Sequence, residues 1–263
     1  MSKIAGIRIA FLAISLSPVT AAALSSAIPV GSMGNLRATV AASPALTRHV
    51  EADILSGAAL LKTEKRAQQG NIAAEFDLGR SYFDMATLHR QGARKNISLG
   101  LQWYRRAALQ GYAPAQARLA SAYLSGLGVP KNEARALKWL RRATAQKYAP
   151  AEGLLGGLYL SGLGVPMNPH KGVHWIRLAA RQGNAASAMS LGFMYFTGDA
   201  NVPKNYTKAA RWLLSAKAIS AKMGIDLPVV TSMLQVAESH LSPAQISQVR
   251  KEVQKQLQAH KPH

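Results

Sequence analysis

YLSGLGVPKN at Tyr123–Asn132 returns as YLSGLGVPMN at Tyr159–Asn168, with nine of ten positions identical across a separation of 36 residues. Such a glycine-rich stretch has two readings: a phosphate-cradling loop, or a joint between helices. Phosphate loops follow a strand and close with Lys-Ser/Thr. Here a helical pattern precedes each copy, and the copies close with Lys131-Asn132 and Met167-Asn168. A loop needed once for chemistry would also not be copied at a fixed period. As a joint, every residue type has a task. Gly126 and Gly128 admit positive φ, so the chain can reverse. Pro130 cannot extend the preceding helix and biases Val129 toward extended geometry. Asn132 stands where a side-chain oxygen caps the next helix. Gly162, Gly164, Pro166 and Asn168 repeat the device, with Pro169 at the favoured first helical position. Gly198 to Asn205 is a version one residue longer.

Working outward, the period governs the chain. Trp103, Trp139, Trp175 and Trp212 are spaced by 36, 36 and 37 residues, and Tyr82, Tyr123, Tyr159 and Tyr195 by 41, 36 and 36. The two series agree once one insertion is allowed in the first unit. Leu78, Leu119, Leu155 and Leu191 align, and beside them stand Gly79, Ala120, Gly156 and Gly192. Four residues before each Leu come Ala74, Ala115, Ala151 and Ser187. Small residue, Leu and Tyr at i, i+4 and i+8 share one helical face. This predicts a helix A over about 71–83, 113–125, 149–161 and 185–197. A tryptophan-bearing helix B is predicted over about 97–109, 133–146, 169–182 and 205–221, with Ala136, Trp139, Leu140 and Ala143 as one apolar stripe. Gly111 and Gly183 suit a left-handed helix end between units, whereas Lys147 stands at that place between the second and third. The first unit lacks the Val-Pro of the joint and is expected to carry a longer loop over 83–96.

The run A-x-Q-G, small-x-x-x-L-G-x-x-Y, G-x-G-V-P-K-N and A-x-x-W-x-x-R-A resembles the Sel1-like repeat, a relative of the tetratricopeptide repeat. The resemblance spans Ala67 to Lys217, about four units. It implies an all-α fold, a right-handed α/α solenoid of about four helix-turn-helix repeats with N- and C-terminal capping helices. It also implies an adaptor or scaffold for other proteins; many bacterial members are exported. Repeats are expected at about 67–110, 111–146, 147–182 and 183–222. A capping helix is expected at 45–66 and capping helices with a tail at 223–263, where Ser242 and Pro243 suit a helix start. Solenoid ends need such cover.

The first 27 residues have an export pattern. Lys3 and Arg8 precede an apolar run from Ile9 to Leu16, Pro18 breaks it, and small residues follow, so cleavage after Ala23 or Ala27 fits a signal peptide. The run is shorter than the roughly 20 apolar residues a membrane span needs. A flexible linker is expected over 28–44, and the mature chain is expected in the periplasm or the medium. The chain carries 32 Lys+Arg against 12 Asp+Glu, a formal charge of +20, whose field attracts polyanions. It has no cysteine, which excludes disulfides, thiolate metal sites and a cysteine nucleophile.

Few residues propose chemistry. His170 and His174 have the spacing of a shared metal site but no carboxylate between them, and they read as surface histidines; no metal or cofactor is expected. The carboxylates form no acid/base pair and no nucleophile motif appears, so no catalytic residue is nominated. The tryptophans read as core. The functional surface is expected on the concave side, lined by A helices, where aligned side chains vary: Glu75, Gln116, Glu152 and Ala188; Asp77, Arg118, Leu154 and Ser190; Arg80, Ser121, Gly157 and Phe193; Ser81, Ala122, Leu158 and Met194. Partner contact is assigned to Glu75, Asp77, Arg80, Gln116, Arg118, Ser121, Glu152, Leu154, Ser190 and Phe193. Contact with an anionic surface is assigned to Arg135, Lys138, Arg142, Arg177 and Arg181 on B helices. The leading function is an exported noncatalytic interaction scaffold binding an envelope protein or peptide. The alternatives are a binder of acidic polysaccharide, cell wall or anionic membrane, and an enzyme of the cell wall. Nucleic acid is disfavoured by export.

Overall fold

The computed structural model describes residues 59–88, 93–199 and 202–259. The expected signal peptide, the linker and the start of the N-terminal capping helix lie outside these residues. Two compact units divide the chain between Ala107 and Ala108. In the first, α1 occupies 59–68, α2 is Ile72–Leu88, and α3 begins at Ala93 and ends at Leu109, just past the division. The second holds α4 (Ala113–Ser125), α5 (Glu133–Ala145), α6 (Ala149–Ser161), α7 (Pro169–Arg181), α8 (Ala185–Thr197), α9 (Tyr206–Lys222), α10 (Pro228–Ser239) and α11 (Pro243–Ala259). No strand occurs among the described residues.

The expected joint in the first unit is corrected. Its extra residues do not form a loop over 83–96; they extend α2 to Leu88 and let α3 start at Ala93. The cause is local: no proline occurs there and the first glycine is Gly92, so nothing stops the helix where Gly126 stops α4.

Elsewhere the joint closes the same way three times. The Asn132, Asn168 and Asn205 side chains accept from the backbone N–H of Arg135, Lys171 and Lys208 at 2.8, 2.9 and 2.9 Å. Each Asn also donates its own N–H to the carbonyl of Tyr123, Tyr159 or Tyr195, at 2.8 Å in every case. The last joint, one residue longer, keeps the same two end contacts. Gly126 ends α4 at φ 74°. Gly164 serves a second purpose: a Cβ there would lie 2.8 Å from Glu133 Cβ, so this joint sits directly on the start of α5. Lys147 takes φ 56°, the left-handed region that glycine occupies at Gly111 and Gly183.

In the second unit each A helix packs on its own B helix, and each B helix on the next A helix, as α4–α5–α6–α7–α8–α9. The crossing of α6 and α7 runs through Gly156 and Gly172, where a Cβ on either would come within 3 Å of the other's carbonyl oxygen. Leu119, Leu140, Leu191 and Leu213 are fully buried. The C-terminal helices share the last repeat's core: Val230, Leu234, Ala237 and Val249 cluster with Leu191, Trp212 and Leu213. A reciprocal cap starts α11, with Gln245 N–H donating to Ser242 Oγ and Ser242 N–H to Gln245 Oε1.

Candidate functional site

The A-helix side chains separate into two sets. Helical spacing buries a stripe two residues wide: Ala74 with Glu75, Gln116 beside Ala115, and Glu152 beside Ala151. Glu75, Gln116 and Glu152 are 0, 3 and 3% exposed, which corrects their assignment to a partner-contact row. The stripe is wider than the small-Leu-Tyr series indicates, and the next residue along turns inward too. Ala188 at the aligned position is also buried, as are Ala122, Leu158 and Met194 of the fourth row.

The buried polar groups latch the repeats from inside. Gln146 Nε2, just past α5, donates to Gln116 Oε1 at 3.0 Å and to the Gly111 carbonyl at 2.9 Å. Gln116 Nε2 donates to the Ala108 carbonyl at 3.1 Å. One repeat on, Gln182 Nε2 donates to Glu152 Oε2 at 2.6 Å. Burial pushes the Glu152 carboxyl above its ordinary range; the Gln182 hydrogen bond and the charges of His174 and Lys147 work against that rise. In the first unit Glu75 is held by Arg106 at 3.1 Å. The sequence carried this signal. Gln110, Gln146 and Gln182 each stand seven residues after a repeat tryptophan. In the fourth repeat, where the inward residue is Ala188, the matching position is Ile219.

The second set faces solvent. In the first unit Arg80 is exposed and pairs with Asp77 at 3.4 Å. In the second, Arg118 is exposed, and Leu154 and Phe193 are 36 and 49% exposed. Ser121 and Ser190 turn their hydroxyls back onto the Ala117 and Ala186 carbonyls of their own helices. Met189, which sequence reasoning missed, is 38% exposed and lies one turn before Phe193 on α8. Gly157, aligned with Phe193, has open space where a side chain would stand.

The B helices carry the cations. Arg105, Arg106, Arg135, Lys138, Arg141, Arg142, Arg181 and Lys208 are exposed; Arg177 and Arg211 are half-buried. Several roof aromatic rings: Arg106 over Trp103 at 4.6 Å, Arg142 over Trp139 at 4.8 Å, and Lys208 over Tyr195 at 5.3 Å. The expectation that all four tryptophans are core is corrected. Trp212 is buried, whereas Trp103, Trp139 and Trp175 are half-buried. An arginine three residues on covers the open side of the first two.

His170 and His174 are exposed on α7, and His174 meets the ring of Trp175 edge-on at 6.0 Å. Among the described residues no three His, Asp or Glu side chains come together as a metal group. No helix among them is long and apolar enough to cross a membrane.

The Sel1 repeat model matches residues 72–112, 113–148, 149–184 and 185–218. Comparison with curated proteins gives no match. Among solved structures, c5321, a protective antigen present in uropathogenic Escherichia coli strains and displaying an SLR fold, is 34% identical with a TM-score of 0.52. The match covers 63% of this chain but only 33% of that one, so this chain spans about a third of its length. A Sel1 repeat protein from Oxalobacter formigenes is 29% identical with a TM-score of 0.47, covering 72% of this chain and 86% of that one. With the family's repeats matched over more than half of its length, the chain belongs to the Sel1 repeat family.

Proposed function

We propose that the chain is an exported, noncatalytic scaffold of the bacterial envelope that holds a partner protein or peptide on the exposed stripe of its A helices. Sel1 repeats generally mediate protein–protein interactions, and proteins built from them are typically noncatalytic scaffolds. The observation that carries the reading is the contrast within single helices. Inward positions are filled by Ala, Leu, Gly and latched amides, while outward positions of the second unit present Arg118, Leu154, Met189 and Phe193. Exposed apolar side chains ringed by polar ones are the usual material of a contact patch. Export is supported by the basic and apolar pattern of the first 27 residues.

The test uses the full chain as bait in an envelope extract, eluted with rising salt. The wild type is expected to retain one protein in stoichiometric amount through high salt. Leu154→Arg with Phe193→Asp is expected to lose it while keeping its circular dichroism. Equal capture by both chains would remove the A-helix stripe as the binding surface. Export is checked in the same cells: recovery of uncleaved chain from the cytosol alone would reject it.

A second reading, contact with an anionic polysaccharide, cell wall or membrane, is favoured by the exposed Arg135, Lys138, Arg142 and Arg181. Charge reversal at Arg135, Lys138 and Arg142 should release the chain from the envelope fraction at lower salt. Unchanged retention would remove that surface as the attachment point.

A further inference from the structure

The B-helix cations are not spread evenly. Arg177 and Arg181 of α7 and Lys208 and Arg211 of α9 line one cleft of about 750 Å³. Tyr195 of α8 and Gln256 of α11 line it as well. Of these four cations one is ion-paired: Glu252 of α11, outside the residues that line the cleft, holds Arg211 at 3.3 Å. No carboxylate among the described residues pairs with Arg177, Arg181 or Lys208. Grouping like charges costs stability unless something offsets them. Tyr195 offsets part of this cost: its hydroxyl accepts from Arg177 at 3.4 Å, and its ring lies under Lys208. Arg211 Nε is buried without a hydrogen-bond acceptor, so even the paired guanidinium is incompletely satisfied.

We infer that this cleft is a binding site for a small anion carrying two or more phosphate groups. The volume lies within the range of small-ligand sites, roughly 300–1,000 Å³. The donors come from two separate helices, α7 and α9. A tetrahedral phosphate presents oxygens in several directions and suits donors arriving from several sides. A planar carboxylate suits one guanidinium at a time. Arg177, Arg181 and Lys208 together offer more charge than a single phosphate neutralises. The assignment goes beyond the A-helix reading. It narrows the anionic-surface reading, on which it rests, to one place between the last two B helices and the C-terminal helix.

The experiment is calorimetric titration of the full chain with tripolyphosphate at about 150 mM salt, where the Debye length of about 8 Å suppresses the diffuse field. One site per chain is expected, with orthophosphate about tenfold weaker. Arg181→Gln with Lys208→Gln is expected to weaken binding by about tenfold or more, and Arg181→Gln alone by less. Arg181 and Lys208 are exposed, so circular dichroism should not change. Arg141→Gln with Arg142→Gln, on α5 and outside the cleft, is expected to leave affinity within about twofold. That control separates this site from the broader surface reading, which predicts equal loss in both double variants. Equal loss, several weak sites per chain, or equal affinity for hexaglutamate would overturn the assignment.

Discussion

At the residue scale, the decisive group is the hydrogen that stands in for a side chain at Gly156. A methyl group there would lie 2.6 Å from Ile176 Cγ1 and 2.8 Å from the Gly172 carbonyl oxygen. The Ile side chain can rotate; the carbonyl belongs to a helix and cannot withdraw without moving α7. Gly156→Ala is therefore expected to lower stability by about 1–3 kcal/mol, the usual cost of overpacking. Thermal or urea unfolding measures this directly, and an unchanged midpoint would mean that α6 and α7 separate freely. The second repeat carries Ala120 and Ala136 at the aligned positions. The same α-hairpin thus accommodates methyl groups when both sides are built for them. The spacing of the glycines was legible in the sequence. The reason they are glycines, a carbonyl under 3 Å from the missing carbon, is a fact of the crossing and becomes visible only once both helices are placed.

At the element scale, each of two middle hairpins is held by a hydrogen bond from an exposed glutamine to a buried side chain, Gln146 to Gln116 and Gln182 to Glu152. These pairs also mark where sequence reading stopped. Helix positions, asparagine caps and the joints followed from local chemistry, because a cap or a proline acts within a few residues. The inward turn of Glu75, Gln116 and Glu152 did not. A charged or amide side chain one residue past an apolar stripe is exposed in most helices, and here a glutamine 30 residues away makes its burial tolerable for Gln116 and Glu152. Glu152 is the costly member of that arrangement, since burial holds its folded carboxyl above the ordinary value near 4.5. The folded state then holds a proton that the unfolded chain has released, so stability falls as pH rises from the ordinary carboxylate value through the raised one. Glu152→Gln copies the preceding repeat, keeps an acceptor for Gln182 and removes the charge. It is expected to raise stability at neutral pH by up to about 1 kcal/mol. It should also flatten the loss of stability between mildly acidic and neutral pH. Melting temperatures of both chains across that range decide it: parallel curves would mean that Glu152 titrates as an ordinary carboxylate.

At the scale of the molecule, a stack of repeats must end somewhere, and an unfinished end exposes the next packing face. In the second unit α10 and α11 supply that finish. Val230, Leu234, Val249 and Val253 are between 1 and 6% exposed, and the first three join the core around Leu213 and Trp212. Burying such side chains contributes about 1.5–3 kcal/mol each. Four of them match much of the roughly 5–15 kcal/mol that holds a domain together. The ion pairs Arg250–Glu238 and Arg211–Glu252, at 3.2 and 3.3 Å, fix how α11 lies but are partly exposed and add little. A chain ending after Gly224 should therefore lose several kcal/mol, unfold at lower urea and scatter light as it associates through the uncovered face of α9. Val230→Ala should move the urea midpoint in the same direction by a smaller amount, about 1–3 kcal/mol, without association. A truncated chain that stays monomeric with the parent's midpoint would show that the last repeat is complete without cover, and of the two C-terminal helices only α11, through Gln256, would keep a part in the anion cleft.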